Sequence, residues 1–228
     1  MFWTLHYLLD LSEDCVLTVV EQIPHLVWKL TQELCYEGDE RSEVNKPIMR
    51  ILGNLLSIPS IPQDQLTSEL ISSDIFQTFV MSALLNDSTD LTSSIYRKEC
   101  LWLLSNILGG ASRESFEILL ENKHLVDKVC EIALSREYSL KKEALVVIYN
   151  MCENHGSAYM QKVMARNPQQ AFFDAIHNYQ GFDPYTLKVA ISFCSLACEK
   201  YGQPAAEGMV AQNIPEMIDC IASAFTGN

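Results

Sequence analysis

The amino-acid sequence predicts an all-α protein made of stacked helical repeats. Apolar residues recur at spacings of three and four along most of the chain, which is the period of a helix that buries one face. A short core pattern also recurs at a nearly constant interval, and such self-similarity indicates stacked units rather than a single bundle. Strand-like alternation is unconvincing, because its best candidates lie inside stretches with the helical period.

The helical period predicts three clear helices, over residues 47–56, 96–108 and 141–152. In the second helix, Leu101, Leu104 and Leu108 mark the buried face. Residues that end helices follow each of the three: Pro59, Gly109-Gly110 and Asn154-His155-Gly156.

The repeated core is found in residues 3–7, 50–54, 102–106, 146–150 and, in degenerate form, 192–196. The last residues of these segments lie 47, 52, 44 and 46 positions apart. Armadillo and HEAT repeats have about 40–47 residues. We therefore expect one solenoid of about four to five repeats over residues 1–228.

A second signature, I-P-x-[LM]-[VI], occurs at residues 23–27 and 214–218, 16 to 18 residues after a repeat core. Proline fits the first turn of a helix, so this signature is expected to open the helix that precedes the next core helix. Each repeat is thus predicted as helix, turn, long helix. Polar breaks at residues 37–43, 86–93 and 180–184 are predicted to be loops between helices.

Composition limits the function classes. The chain has 16 Lys and Arg against 29 Asp and Glu, a formal charge of −13, which argues against nucleic acid as a partner. Its eight cysteines form no CxxC pair, so we expect a reduced protein of cytoplasm and nucleus. Its apolar runs are shorter than the roughly 20 residues of a membrane span, and we expect no membrane partner.

Three core helices resemble distinct repeats of the importin-α (karyopherin-α) armadillo family. Residues 98–107 resemble the third helix of a repeat with the pattern K-E-A-x-W-x-x-x-N-I. Residues 3–10 resemble the family's fourth repeat, in which tyrosine replaces the asparagine, and residues 47–55 resemble the fifth, in which arginine takes the tryptophan position. A divergent relative, the transmembrane and coiled-coil domain protein, shares this weakened pattern.

The later cores depart from the pattern. Val146 replaces the expected tryptophan in the segment that resembles the seventh repeat, and Ser192 and Leu196 replace both signature positions of the eighth. The resemblance covers only the carboxy-terminal half of the family and implies a right-handed superhelix. The basic arm that recruits importin-β in the family has no counterpart among the matched segments, so recruitment of importin-β is doubtful. The family's first three repeats have no counterpart there either. We accordingly expect a fragment, an incomplete gene model or a chain whose first helix a partner covers.

The spacing of the W-x-x-x-N pattern suits an extended peptide. Residues four apart lie on one helix face, so stacked repeats would align such pairs into ladders along a groove. An asparagine amide can pair with a peptide backbone, and a tryptophan face accepts the stem and ammonium of lysine. The predicted peptide-binding residues are Trp102, Asn106, Asn150, Asn54, Trp3, Tyr7 and Glu99.

Most of these residues have a structural alternative. Trp102 could fill the core between repeats, and the asparagines could cap turns of a neighbouring repeat. Arg50 is expected to divide two binding stretches or to pair with an acid. Glu99 could meet a lysine or lie on a solvated face, and the acidity of the chain could serve only solubility.

Two functions follow. The first is an importin-α-like adaptor that binds basic nuclear localisation peptides on cargo; the resemblance implies this identity for the peptide. The alternative is an armadillo scaffold that has lost this recognition, which the changes at Val146, Ser192 and Leu196 favour. No catalytic motif occurs, and Cys152 with His155 is too small a set for a metal site, so we expect no enzyme, cofactor or metal.

Overall fold

The computed structural model describes residues 2–34, 42–58, 61, 63–85, 91–121, 123–153 and 157–226. Within these ranges the secondary structure is helical and contains no strand, which confirms the all-α prediction. The first seven helices are α1 (Phe2–Leu11), α2 (Glu13–Gln22), α3 (Leu26–Gln32), α4 (Ser42–Leu56), α5 (Gln63–Ile71), α6 (Asp74–Leu85) and α7 (Leu91–Gly110). The next eight are α8 (Arg113–Glu121), α9 (Lys123–Leu134), α10 (Tyr138–Glu153), α11 (Ser157–Met164), α12 (Gln169–His177), α13 (Pro184–Tyr201), α14 (Gln203–Ala211) and α15 (Ile214–Thr226).

The helices follow a three-helix repeat, in which two short helices precede a long one. This order recurs in α2–α4, α5–α7, α8–α10 and α11–α13, while α1 has the position of a long third helix and α14–α15 of two first ones. All five predicted cores lie on third-helix positions, in α1, α4, α7, α10 and α13. Each repeat has three helices, so the prediction of helix, turn, long helix is wrong. The turn between the two short helices is only a few residues long, and the sequence pattern did not separate them.

Several predicted boundaries move. The helix at residues 47–56 begins five residues earlier, at Ser42, and the helix at 96–108 extends from Leu91 to Gly110. Residues 42–43 and 91–93 of the predicted loops are therefore helical, and so are parts of the loop at 180–184, because a 3-10 helix covers Tyr179–Gly181 and α13 begins at Pro184. Residues 37–41, 86–90, 154–156 and Pro59 lie outside the described residues.

The two prolines of the second signature behave differently. Pro215 is the second residue of α15, as predicted for a helix start. Pro24 instead lies in a turn, because His25 after it adopts a left-handed conformation with φ 56° and α3 begins only at Leu26.

The chain divides into two compact units, Met1–Lys128 and Val129–Asn228. In the first unit α4 packs between α1 and α7. In the second, α13 packs on α10 and α12, where the rings of Phe172 and Phe193 stack with centroids 3.7 Å apart. One solenoid over residues 1–228 stays a prediction. Among the described residues, no helix combines the length and apolar character that crossing a membrane requires.

Candidate functional site

The first unit contains six of the seven predicted site residues: Glu99, which is described below, and five others. Trp3 and Tyr7 lie on α1, Asn54 on α4, and Trp102 and Asn106 on α7, three third-position helices of which α4 packs between the other two. Trp3 and Tyr7 are exposed, and the other three are half-buried. We call these five residues the ladder surface.

Trp102 lies against the backbone of the preceding third helix. A Cβ atom at Gly53 would overlap the indole atoms Cζ3 and Cη2, so the ring needs a glycine at this place. The Asn106 amide Nδ2 donates to the Gly53 carbonyl over 3.4 Å. Trp102 is therefore a half-buried wall between α4 and α7. The repeated core includes Gly53 beside Asn54, but nothing in the sequence indicates that the Trp102 ring packs against this glycine.

Arg50 covers the face of the same indole. Its Cζ atom lies 4.9 Å from the centroid of the Trp102 ring, within the range of a cation–π interaction. Its Nε and Nη2 atoms donate to Oε2 and Oε1 of Glu99 over 2.5 and 2.7 Å, a bidentate pair. Arg50 thus pairs with an acid, as one of its two sequence interpretations proposed.

Glu99 is buried, with a side chain that is 4% exposed. The interpretation of Glu99 as part of a solvated face is wrong, because α4 covers its carboxylate with Arg50 and also places the Lys46 ammonium 4.0 Å from Oε1. Contact between Glu99 and a bound lysine stays a prediction.

On α1 the two aromatic rings form an exposed pair. The rings of Trp3 and Tyr7 stack with centroids 6.0 Å apart, and the buried His6 lies beside both. Asp10, one turn further along, accepts a hydrogen bond from Asn54 Nδ2 over 2.6 Å and lies 3.6 Å from His6 Nε2. Sequence reasoning missed Asp10, which puts a half-exposed carboxylate next to this aromatic pair.

The second unit carries the weakened repeats. Asn150 is half-buried on α10, whereas Val146 at the tryptophan position is buried in the core. The Tyr149 hydroxyl donates to Glu153 Oε1 over 2.6 Å. Burial and this hydrogen bond raise the pKa of Tyr149 to about 12. A valine is too short to project from α10 as a tryptophan would, so α10 offers no aromatic face at this position.

An ion pair joins the amino-terminal ends of α10 and α13. Lys142 Nζ lies 2.9 Å from Asp183 Oδ2, and Asp183 Oδ1 caps α13 by accepting from the backbone N–H of Thr186 over 3.0 Å. Burial opposes ionisation of this carboxyl, but the hydrogen bonds from Lys142 and Thr186 hold the pKa of Asp183 well below its usual range.

No protein-family model matches the sequence, and no curated protein matches it. Solved structures do match. A designed armadillo repeat protein matches with a TM-score of 0.73 and 12% identity over 97% of this chain and 84% of its own. The chain has the all-α fold of an armadillo-repeat protein.

Two further structures agree with this fold. A designed armadillo repeat protein in complex with the peptide (KR)4 matches with a TM-score of 0.65 and 15% identity over 99% of this chain and 90% of its own. Computationally designed armadillo repeat proteins for modular peptide recognition match with a TM-score of 0.67 and 13% identity, over 98% and 91%. Identities this low show the fold alone, and the importin-α resemblance stays a prediction.

Proposed function

We propose that the ladder surface binds an extended basic peptide and that the protein is an importin-α-like adaptor for nuclear localisation signals. The observation that carries this proposal is the alignment of Trp3 and Tyr7, Asn54, and Trp102 with Asn106 on three adjacent third helices of one unit. Such an alignment repeats aromatic faces and amides along one direction, as an extended chain requires.

The side chains of this surface match a basic peptide chemically. The exposed rings of Trp3 and Tyr7 can take the methylene stem and the cation of a lysine or arginine, with the Asp10 carboxylate one turn away. The amides of Asn54 and Asn106 can pair with peptide backbone groups once they leave their partners in the chain. The (KR)4 complex of a designed armadillo repeat protein supports a partner of this class.

The nuclear part of the proposal rests on the sequence resemblance. A receptor for localisation signals would act in cytoplasm and nucleus on Lys/Arg-rich cargo, and the charge of −13 would favour encounter with such cargo. In the second unit, Asn150 would offer a peptide backbone pairing alone, since Val146 supplies no aromatic face there.

A second function has its own observation. Arg50 occupies the Trp102 face, and the amides of Asn54 and Asn106 bond within the chain. These internal contacts, with the loss of the tryptophan at Val146, favour a scaffold that has given up localisation signals and binds another protein.

Fluorescence anisotropy with labelled (KR)4 separates the two functions. We expect wild type to bind and the double variant Trp102→Ala/Asn106→Ala to bind at least about fivefold more weakly, since it loses a cation–π contact of about 0.5–2 kcal/mol and a net hydrogen bond of about 0.5–1.5 kcal/mol. Trp28→Ala is the matched control, because Trp28 is a 54% exposed tryptophan on the short helix α3. Absence of wild-type binding at high micromolar protein would contradict the adaptor function and favour the scaffold.

Import itself needs a separate assay. Purified protein replaces the adaptor in permeabilised cells that are supplied with a (KR)4-tagged fluorescent cargo and the remaining transport factors. Nuclear accumulation that depends on Trp102 and Asn106 is the expected result. Peptide binding without accumulation would leave a peptide receptor that does not carry cargo.

A further inference from the structure

The space between α4 and α7 that a cationic side chain of a peptide would enter already contains one. The guanidinium of Arg50 fills it, bonded to both oxygens of Glu99 and stacked on Trp102. We call this space, bounded by Glu99 and Trp102, the Arg50 slot. Both helices belong to the first unit.

We propose that Arg50 is an internal competitor, which closes its slot until the arginine or lysine of a bound peptide displaces it. The inference rests on the proposed function and adds its regulation. A peptide guanidinium would make the same contacts with Glu99 and Trp102 that Arg50 makes, so the two cations exclude each other.

The walls of the slot are fixed while its occupant can move. Glu99 is 4% exposed, and the Trp102 indole is held against the backbone at Gly53. The Arg50 side chain is 35% exposed and has the length and rotatable bonds to turn into solvent. Removal of the guanidinium would therefore leave a shaped, negatively charged slot rather than a collapsed one, with the Lys46 ammonium 4.0 Å from the carboxylate.

This competition has a measurable size. When only a fraction of molecules has the slot open, the apparent dissociation constant is the intrinsic constant divided by that fraction. Arg50→Met removes the competitor and keeps much of the stem, so we expect it to bind (KR)4 roughly tenfold more tightly than wild type, as for a slot that is open about a tenth of the time. Glu99→Gln should act in the opposite direction and weaken binding, because it removes the negative charge and one of the two acceptor oxygens that a cation in the slot uses.

Loss of any positive charge would strengthen the binding of a basic peptide to this protein. Arg113→Met controls for this general effect of charge. Arg113 is a 79% exposed arginine on α8 of the same unit, paired with Glu117 four residues later. Anisotropy titrations with (KR)4 compare wild type, Arg50→Met, Glu99→Gln and Arg113→Met. An affinity of Arg50→Met no higher than that of Arg113→Met would overturn the competition, provided that Trp102→Ala/Asn106→Ala still weakens binding. No binding by any variant would overturn both this inference and the proposed function.

If Arg50→Met does not fold, a measurement on the wild-type protein still tests the competition. In a two-dimensional ¹H–¹⁵N spectrum of arginine side chains, the Nε–H signal of Arg50 should move from a bonded position towards that of solvated arginines as (KR)4 saturates the protein. The signal is identified by its loss in Arg50→Lys. A signal that stays at its starting position at saturation would overturn the inference.

Discussion

At the residue scale, pairs far apart in sequence decide what the ladder surface offers. Glu99 meets Arg50 across 49 positions, Asn54 meets Asp10 across 44, and Asn106 meets the Gly53 carbonyl across 53. Each pair joins one third helix to the next. The contacts of each signature residue therefore depend on the preceding repeat. A pattern read from one repeat alone could not identify the partner of Glu99.

Gly53 is expected to be the most sensitive small residue of this surface. Gly53→Ala puts a Cβ atom into the Trp102 ring, so the indole or α4 must shift, at a cost of about 1–3 kcal/mol in the free energy of unfolding. Urea denaturation measures this, and (KR)4 binding should weaken in parallel.

Gly208→Ala is the matched control for Gly53→Ala. Gly208 lies within α14, and a Cβ atom there has no neighbour within 4 Å. Alanine at this helical position should stabilise by about 0.5–1 kcal/mol. Equal effects of the two substitutions would contradict the close approach of Trp102 to Gly53.

At the element scale, the long third helices were predictable and the short ones were not. All five third helices carry the recurring core, degenerate in α13, and three of them also show a sustained helical period, so all five were located from sequence. The short helices follow one another after turns of a few residues, as at α5 and α6, where only two residues intervene. No composition change marks so short a turn, and a left-handed residue such as His25 displaces the helix start without a glycine to indicate it.

The start of α13 depends on the Asp183 carboxylate, which caps the helix and pairs with Lys142. Asp183→Ala loses both contacts and should lower the free energy of unfolding by about 1–2 kcal/mol at neutral pH. Asp183→Asn keeps a capping oxygen and should lose less. Chemical denaturation of both variants gives the difference, and Asp219→Asn on the exposed face of α15 controls for the change of charge.

The same carboxylate predicts a pH dependence with a defined sign. The pKa of Asp183 is lower in the folded chain than its ordinary 3.8, so its contribution is fully present above that value and is lost as pH falls below it towards the folded pKa. The stability difference between wild type and Asp183→Asn should therefore shrink on acidification below pH 3.8. A difference that is constant through this range would show that the ion pair does not stabilise the fold.

At the scale of the whole molecule, the charge of −13 and the ladder surface should act on different rate constants. Long-range attraction accelerates the encounter with a cation and is screened by salt, whereas close contacts determine how long the complex lasts. Between about 0.01 M and about 1 M salt the screening length falls from about 30 Å to about 3 Å. We expect the association rate of (KR)4 to fall at least about tenfold over this range.

Stopped-flow measurements separate the effect of long-range charge on association from the effect of close contacts on dissociation. Trp102→Ala/Asn106→Ala should raise the dissociation rate and leave the salt dependence of association in place. Glu216→Gln/Asp219→Asn removes two negative charges from α15, outside the ladder surface, and should slow association slightly without a change in dissociation. If association proves independent of salt, the acidity of the chain serves solubility and the peptide is held by the ladder surface alone, because no other term in the binding reaction depends on long-range charge.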